Sequence, residues 1–505
     1  MISVTNPSVP QFHSQSFCLG GSALSPSERQ RLAIGALARI QPISHLAGQN
    51  HVSRKFVYQQ AAKAGSALED AFQPSQDGGD EVLFVYPVTK DRIRQIVLAL
   101  LLHTHGSIHG VQDWLRDILN YSLSIGTIHN IMTAAVEKAR QMNTQEDLSR
   151  IRIGVHDEIF QGNPVLVGID PLSTYCFLLA QEPNRDATTW GVHLLDLVER
   201  GFRPKYTVAD FGTGLRAGQA EALPGTPCWG DVFHAQMDVG AMVFYLENRA
   251  LGAMARREKL QRKMDRAKKR GQGHTLSKIL ALASMEEAKS IQLADDLRLL
   301  GQWLREDVLA VVGPELAIRR ELFDFIVSEI RQREDLAPHR IRPVRIALEN
   351  RRDMLLAFAA QIDLELNLIA QKHQLPLPEV RAVYELGGLS HQDPRHGQRE
   401  ALLSKILGTG TCHSIRQDID QGLKQIVRAS SMVENLNSRL RSYFFLRRHL
   451  GADYLELLRF FFNHRPYPRS RKEERVGKSP AEILAGTPSP HWLQQLGFVP
   501  FRRAA

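Results

Sequence analysis

The chain has 505 residues, 43% of them hydrophobic and 23% charged, with a formal net charge of +9. That length predicts two to four domains with room for a real core, and the basic balance favours nucleic acid or another anionic surface as partner. Four scattered cysteines (Cys18, Cys176, Cys228, Cys412) form no C-x-x-C pair, which argues for a reducing compartment and against a cysteine-based zinc fold. The apolar run IVLALLL at 96–102 is too short to span a membrane, and residues 1–27, polar and rich in Ser and Pro, do not read as a signal peptide. The expected location is the cytoplasm.

Residues 1–27 are expected to form a flexible tail. Helical periodicity begins at SPSERQRLAIGALARI, with Ser25 as a cap. Over 28–72 the outline is a helix-turn-helix: a short helix ends near Gln49, Asn50 and His51, and Ser53 caps a second helix carrying Arg54, Lys55 and Tyr58. Residues of this kind on a recognition helix contact DNA in the major groove. After a Gly/Asp-rich break at 73–81, residues 82–145 repeat the outline, with a tight turn near Asn120 and a capping Ser124. Short helix pairs also occur in proteins that never touch DNA; two in tandem in a basic chain strengthen the DNA-binding reading.

From 150 to 240 the period changes. IRIGVHDEIF, NPVLVGID and TYCFLLAQ read as three consecutive antiparallel strands. A helix capped by Asp186 and stopped by Gly201 follows, then a fourth strand ending on Asp210, another helix, and a short fifth strand in GTPCWGD. This order predicts an α/β layer on a mixed sheet. Residues 241–425 are expected to be all-helical. Within that region 254–270 hold nine Lys/Arg against two acids. Arg256, Arg257, Lys263, Lys268, Lys269 and Arg270 form either a solvated face or a surface that tracks phosphates. Residues 426–485 contain SSMVENLNSRLRSYFFLRRHL, and 486–505 read as a carboxy-terminal tail.

Three acids stand out. Asp157 shares the inward side of its strand with Ile153, Val155 and Ile159, where an unpaired carboxylate is costly and a cation compensates it. Asp210 ends a strand just before a Gly-rich turn, an address where open α/β sheets place ligands. In 430–450, Val433, Leu436, Leu440 and Phe444 make one apolar stripe, and Glu434, Asn437 and Arg441 share a second face beside it. Singly, each acid has an ordinary structural reading as a turn cap or a solvated helix acid. Together they suit Mg²⁺, a hard cation that takes oxygen ligands, and Arg441 is placed to meet a phosphate. Asp170 remains a rival for the first position and Asp231 for the second. Cys228, Asp231 and His234 leave zinc open as a further alternative.

The order of these elements resembles the DDE transposases of bacterial insertion sequences, which have a ribonuclease-H-like core, and within them enzymes related to the Mutator and hAT groups. DVFH at 231–234 matches their C/D-x-x-H signature, Glu434, Asn437 and Arg441 match E-x-x-N-x-x-x-R, and RVGKSPAEIL resembles their tail. The likeness covers 150–235 and 425–485. It implies Asp157, Asp210 and Glu434 as catalytic, metal-binding residues for Mg²⁺, with Mn²⁺ as a substitute, and Asp231 and His234 as accessory. It also implies a helical insertion splitting the core, double-stranded DNA as substrate, and a homodimer or larger assembly. The expected reaction is cleavage at element ends followed by strand transfer. A nuclease of the same core without strand transfer, or a DNA-binding regulator derived from such an enzyme, are the alternatives.

Overall fold

The computed structural model describes residues 24–72, 84–270, 274–446 and 451–501. Cys18, most of the expected tail, the Gly/Asp-rich break, residues 447–450 within the 426–485 segment and residues 502–505 lie outside the described residues. The chain divides into two compact units, parting between Tyr86 and Pro87.

The first unit holds α1 (Pro26–Leu37), α2 (Ile43–Gln49) and α3 (Arg54–Phe72). Ser25 and Glu28 form a reciprocal capping box, so α1 starts inside the stretch expected to be tail. The Ser53 hydroxyl accepts the Phe56 amide at 3.2 Å and opens α3, as its position predicted. Leu32, Ala36, Leu46, Ala47, Val52 and Val57 bury together as a small three-helix core.

The second unit begins with α4 (Lys90–His103), α5 (Ile108–Leu119) and α6 (Ile125–Gln145). Asn120 closes α5 in the left-handed region at φ 47°, and Ser124 caps α6 by accepting the Thr127 amide. These helices do not stand apart. Leu98 and Leu102 of α4 and Ala135, Val136 and Ala139 of α6 belong to the same buried cluster as Ile153 and Val155 of the sheet.

The sheet is formed by β1 (Ile153–Gln161), β2 (Asn163–Ile169), β3 (Cys176–Gln181), β4 (Tyr206–Ala209) and β5 (Cys228–Gly230), with α7 (Ala187–Glu199) and α8 (Thr213–Ala222) between the later strands. Its order is β3-β2-β1-β4-β5. β1 with β2 and β2 with β3 pair antiparallel, whereas β1 with β4 and β4 with β5 pair parallel. The Gly-rich turn after β4 is required by packing. A Cβ on Gly214 would lie 2.2 Å from the Arg185 carbonyl, and one on Gly218 2.4 Å from that of Ala187, so only glycines let α8 close on the start of α7.

Beyond the sheet the described chain is helical: α9 (Val232–Lys268), α10 (His274–Trp303), α11 (Leu316–Arg333), α12 (Pro338–Leu355), α13 (Ala357–His373), α14 (Leu377–Leu386), α15 (Pro394–Leu407), α16 (Thr409–Lys424), α17 (Ser431–Leu446), α18 (Ala452–His464), α19 (Pro480–Ala485) and α20 (Trp492–Gln495). α18 is buried almost throughout and packs on α6 and β3. Its Asn463 side chain pairs with both the amide and the carbonyl of Cys176, at 2.8 Å each, covering part of the β3 edge where a further strand would bond. The stretch expected as a carboxy-terminal tail folds back, with Trp492 and Leu496 buried in the main core. Among the described residues, no helix is long and apolar enough to cross a membrane.

Candidate active site

The alternation of β1 decides which side chain faces what. Ile153, Val155 and Ile159 enter the cluster that also holds Val433, Leu436 and Leu440 of α17. Asp157 shares that face and is 5% exposed. α17 crosses β1 and β2 on its apolar stripe, Val433, Leu436 and Leu440 all buried, with Phe444 packed against the same core. Each such buried side chain contributes about 1.5–3 kcal/mol, which fixes the helix's rotation. The face carrying Glu434 and Asn437 is thereby turned to Asp157.

Asn437 is 1% exposed and donates its amide to Asp157 Oδ2 at 2.9 Å; the other Asp157 oxygen accepts the Glu158 amide at 2.8 Å. Asn437 Oδ1 is buried without a partner among the described residues. Burial pushes the Asp157 carboxyl up to about 6; the Glu158 amide and His234 pull it down, and the charges of Glu434 and Asp210 raise it further. Asp157 therefore lies within electrostatic reach of both other acids. Asp210 follows β4, half-buried, and accepts the Gly212 amide at 2.9 Å. Glu434, in the first turn of α17, meets Arg441 at 3.5 Å.

Asp231 ties this site together. It follows β5, is fully buried, and caps α9 by accepting the Phe233 amide at 2.8 Å. Its carboxylate also receives the Ser430 amide at 3.1 Å and the Ser430 hydroxyl, which anchors the start of α17 four residues before Glu434. His234 Nδ1 lies 2.6 Å from the same carboxylate. Burial pushes the Asp231 carboxyl up, but the bonds from His234 and Ser430 outweigh it and leave it below the ordinary value. His234 is raised to about 9, first by the hydrogen bond to Asp231, against burial, and then by the charges of Asp231, Asp157 and Asp210. It is an imidazolium at neutral pH.

The rivals find other employment. Asp170 accepts the Ser173 amide at 2.8 Å and the Ser173 hydroxyl, and so builds the β2–β3 turn. Asp231 is committed to Ser430 and His234. Among the described residues no group of three or more His, Cys, Asp or Glu side chains is gathered closely enough to hold a metal ion, and this applies to Cys228, Asp231 and His234 as it does to the three acids. The donor set of Asp157, Asp210 and Glu434 nonetheless suits a hard divalent cation: all are carboxylates, one is buried with a raised pKa, and the Asn437 oxygen beside it has no donor among the described residues.

Arg54, Lys55 and Tyr58 are exposed on α3, while the Ser53 hydroxyl is engaged as the cap. On α9, Arg256, Lys263 and Lys268 are exposed, as are Lys269 and Arg270 just beyond its end. Arg257 differs: Glu287 of α10 holds it through two contacts, at 2.7 and 3.2 Å, which removes it from any free basic surface. Ser430, Arg185, Arg216 and Arg351 were not singled out by sequence reasoning. Ser430 immediately precedes α17, and Arg351 lies in the stretch expected to be all-helical, where no local pattern marks it.

No family model matches the chain, and no curated protein matches it significantly. Its function is therefore argued from the site.

Proposed function

We propose that this protein is a DDE-type DNA transposase with a ribonuclease-H-like core, which cleaves DNA at element ends and transfers the freed strand to target DNA. The observation that carries this reading is positional. In a sheet ordered 3-2-1-4-5, one acid sits in the middle of β1, a second directly follows β4, and a third lies on a helix crossing β1 after a long helical excursion. Asp157, Asp210 and Glu434 would hold Mg²⁺ or Mn²⁺. Bound there, such ions supply an activated hydroxyl and charge stabilisation at the phosphodiester.

The chain's own residues do the positioning. Asn437 orients Asp157, and Asp231 sets the register of α17 through Ser430 and holds His234 as a cation beside the acids. The exposed residues of α3 and the basic end of α9 would contact DNA, chiefly its phosphates. A homodimer or larger assembly on paired ends is part of the proposal.

A DNA-binding regulator of similar build is the second reading, and one observation favours it: the three acids are not drawn into a closed cage. Purified protein incubated with a plasmid bearing the gene's native flanks, with Mg²⁺, Mn²⁺ or EDTA, separates the two. Metal-dependent cuts at the flanks, lost in Asp210→Asn and Glu434→Gln while DNA binding survives, are expected. Joined products report strand transfer, and cuts without joining point to a nuclease. Tight binding without cleavage in either metal would leave the regulator.

A further inference from the structure

The strand ends that carry Asp210 also bring two arginines to one aromatic ring. Phe211, the next residue, packs where a Cβ on Gly230 would stand only 2.7 Å from it. The Arg216 guanidinium lies 4.9 Å from its centroid and that of Arg351 lies 3.9 Å from it. Arg216 is consumed structurally. It donates to the carbonyls of Asp210, Ala209, Cys228 and Trp229, at 2.9 to 3.3 Å, and locks the ends of β4 and β5 together.

Arg351 is different. It comes from α12, which packs against β5, and among the described residues it donates no hydrogen bond. Among the described residues its one ion pair is a loose 3.8 Å contact with Asp238, whose side chain is 57% exposed while that of Arg351 is 29% exposed. Burial lowers its pKa, Asp238 opposes this, Arg216 lowers it again, and Asp210 raises it, so Arg351 lies within electrostatic reach of the second acid. A guanidinium stacked on a ring keeps its planar donor edge free, and that edge matches an oxyanion with two acceptors. Arg185, another cation that senses Asp210, is already paired to Glu158 at 2.6 Å.

We propose that Arg351, supplied by the helical region, grips a phosphate of the DNA strand lying beside Asp210, so that this region completes the active site; this rests on the transposase reading above. Full-length wild type, Arg351→Gln, Arg351→Lys and Asp238→Asn would be compared. Each is titrated with a short duplex taken from the gene's flank over a range of salt concentrations, assayed for cleavage of the flank-bearing plasmid with Mg²⁺, and melted thermally. Arg351→Gln is expected to reduce the slope of log affinity against log salt by about one, the value of one phosphate contact. It should also slow cleavage by roughly 10²- to 10³-fold, as loss of one preorganised charge donor does. Arg351→Lys should keep the slope and recover only part of the rate, because a point charge lacks the fork.

If wild type cleaves while Arg351→Gln leaves slope and rate unchanged, the inference is overturned and the transposase reading stands. Equal losses of melting temperature in Arg351→Gln and Asp238→Asn, with an unchanged slope, would make Arg351 a packing residue and overturn it as well. A reduced slope in Arg351→Gln with no cleavage by wild type keeps Arg351 as a phosphate contact and removes the enzyme.

Discussion

Asp157 and Glu158 are adjacent in β1 and face opposite sides of one sheet. Glu158 has its side chain 7% exposed, yet its needs are met: Trp190 Nε1 donates at 3.0 Å and Arg185 pairs at 2.6 Å. That side is an aromatic layer of Phe177, Trp190 and Phe202 under α7 and α8. Asp157 receives one backbone amide and one Asn437 amide, and its charged company is the His234 cation and two further acids. Burial of a carboxylate is thus common to both faces. What marks one face as a site is that its neighbours leave negative charge only partly compensated.

The largest expected effect tests that contrast directly. Asp157→Asn should abolish flank cleavage by about 10³-fold or more, since metal-stabilised charge is worth several kcal/mol and each 1.4 kcal/mol is tenfold, while the melting temperature holds or rises. Glu158→Gln should do the reverse, lowering stability by about 1–3 kcal/mol through loss of a charged partner with the cleavage rate of the folded protein preserved. Equal loss of cleavage in both, at native stability, would erase the distinction between the faces.

Asn437→Ala sharpens it. If Asn437 orients a carboxylate that binds the proposed metal, removing it should slow cleavage by about 10- to 100-fold, and raising the Mg²⁺ concentration should restore part of the rate. A purely structural Asn437 would change melting temperature alone.

His234 gives a pH test. Its folded pKa, about 9, lies above the ordinary 6.5. The stabilisation it contributes is therefore fully present below about pH 6.5 and is lost as pH rises through about 9. The melting-temperature deficit of His234→Gln should be widest in the acidic part of that window and close above it. A deficit independent of pH would mean that His234 is not held as a cation beside the acids.

The smallest effect belongs to the aromatic face. His156 is fully buried with neither ring nitrogen hydrogen-bonded among the described residues, and burial pushes its pKa down to about 4. His156→Leu should leave cleavage unchanged and stabilise the fold by about 1 kcal/mol or more, because an unsatisfied polar ring is replaced by a side chain of similar size. Loss of cleavage on this change would show that the two faces are coupled.

Much of the fold was legible because the signals are local. Period-two runs gave the three antiparallel strands, and Ser25, Ser53, Ser124 and Asp186 cap helices through bonds to amides two or three residues away. The inward side of Asp157 and the apolar stripe of α17 follow from periodicity alone. Asp170 against Asp157 could not be decided that way, since both are buried acids on strand runs; only the β2–β3 turn, closing on Ser173, showed Asp170 to be occupied. The same holds for the basic run, where Arg257 looks like its neighbours until α10 brings Glu287 against it.

The sequence by itself determined the elements, their caps, and which residues of β1 and α17 turn inward, because those depend on spacing within a few residues. The tertiary structure alone decided that α17 meets β1 so that Asn437 touches Asp157, that Asp231 reaches Ser430 at the start of α17, that α4 to α6 share the sheet's core, and that Arg351 arrives beside Phe211. These are contacts between residues far apart in the chain. They arise from how apolar faces pack, and no local pattern encodes which distant polar group is carried along.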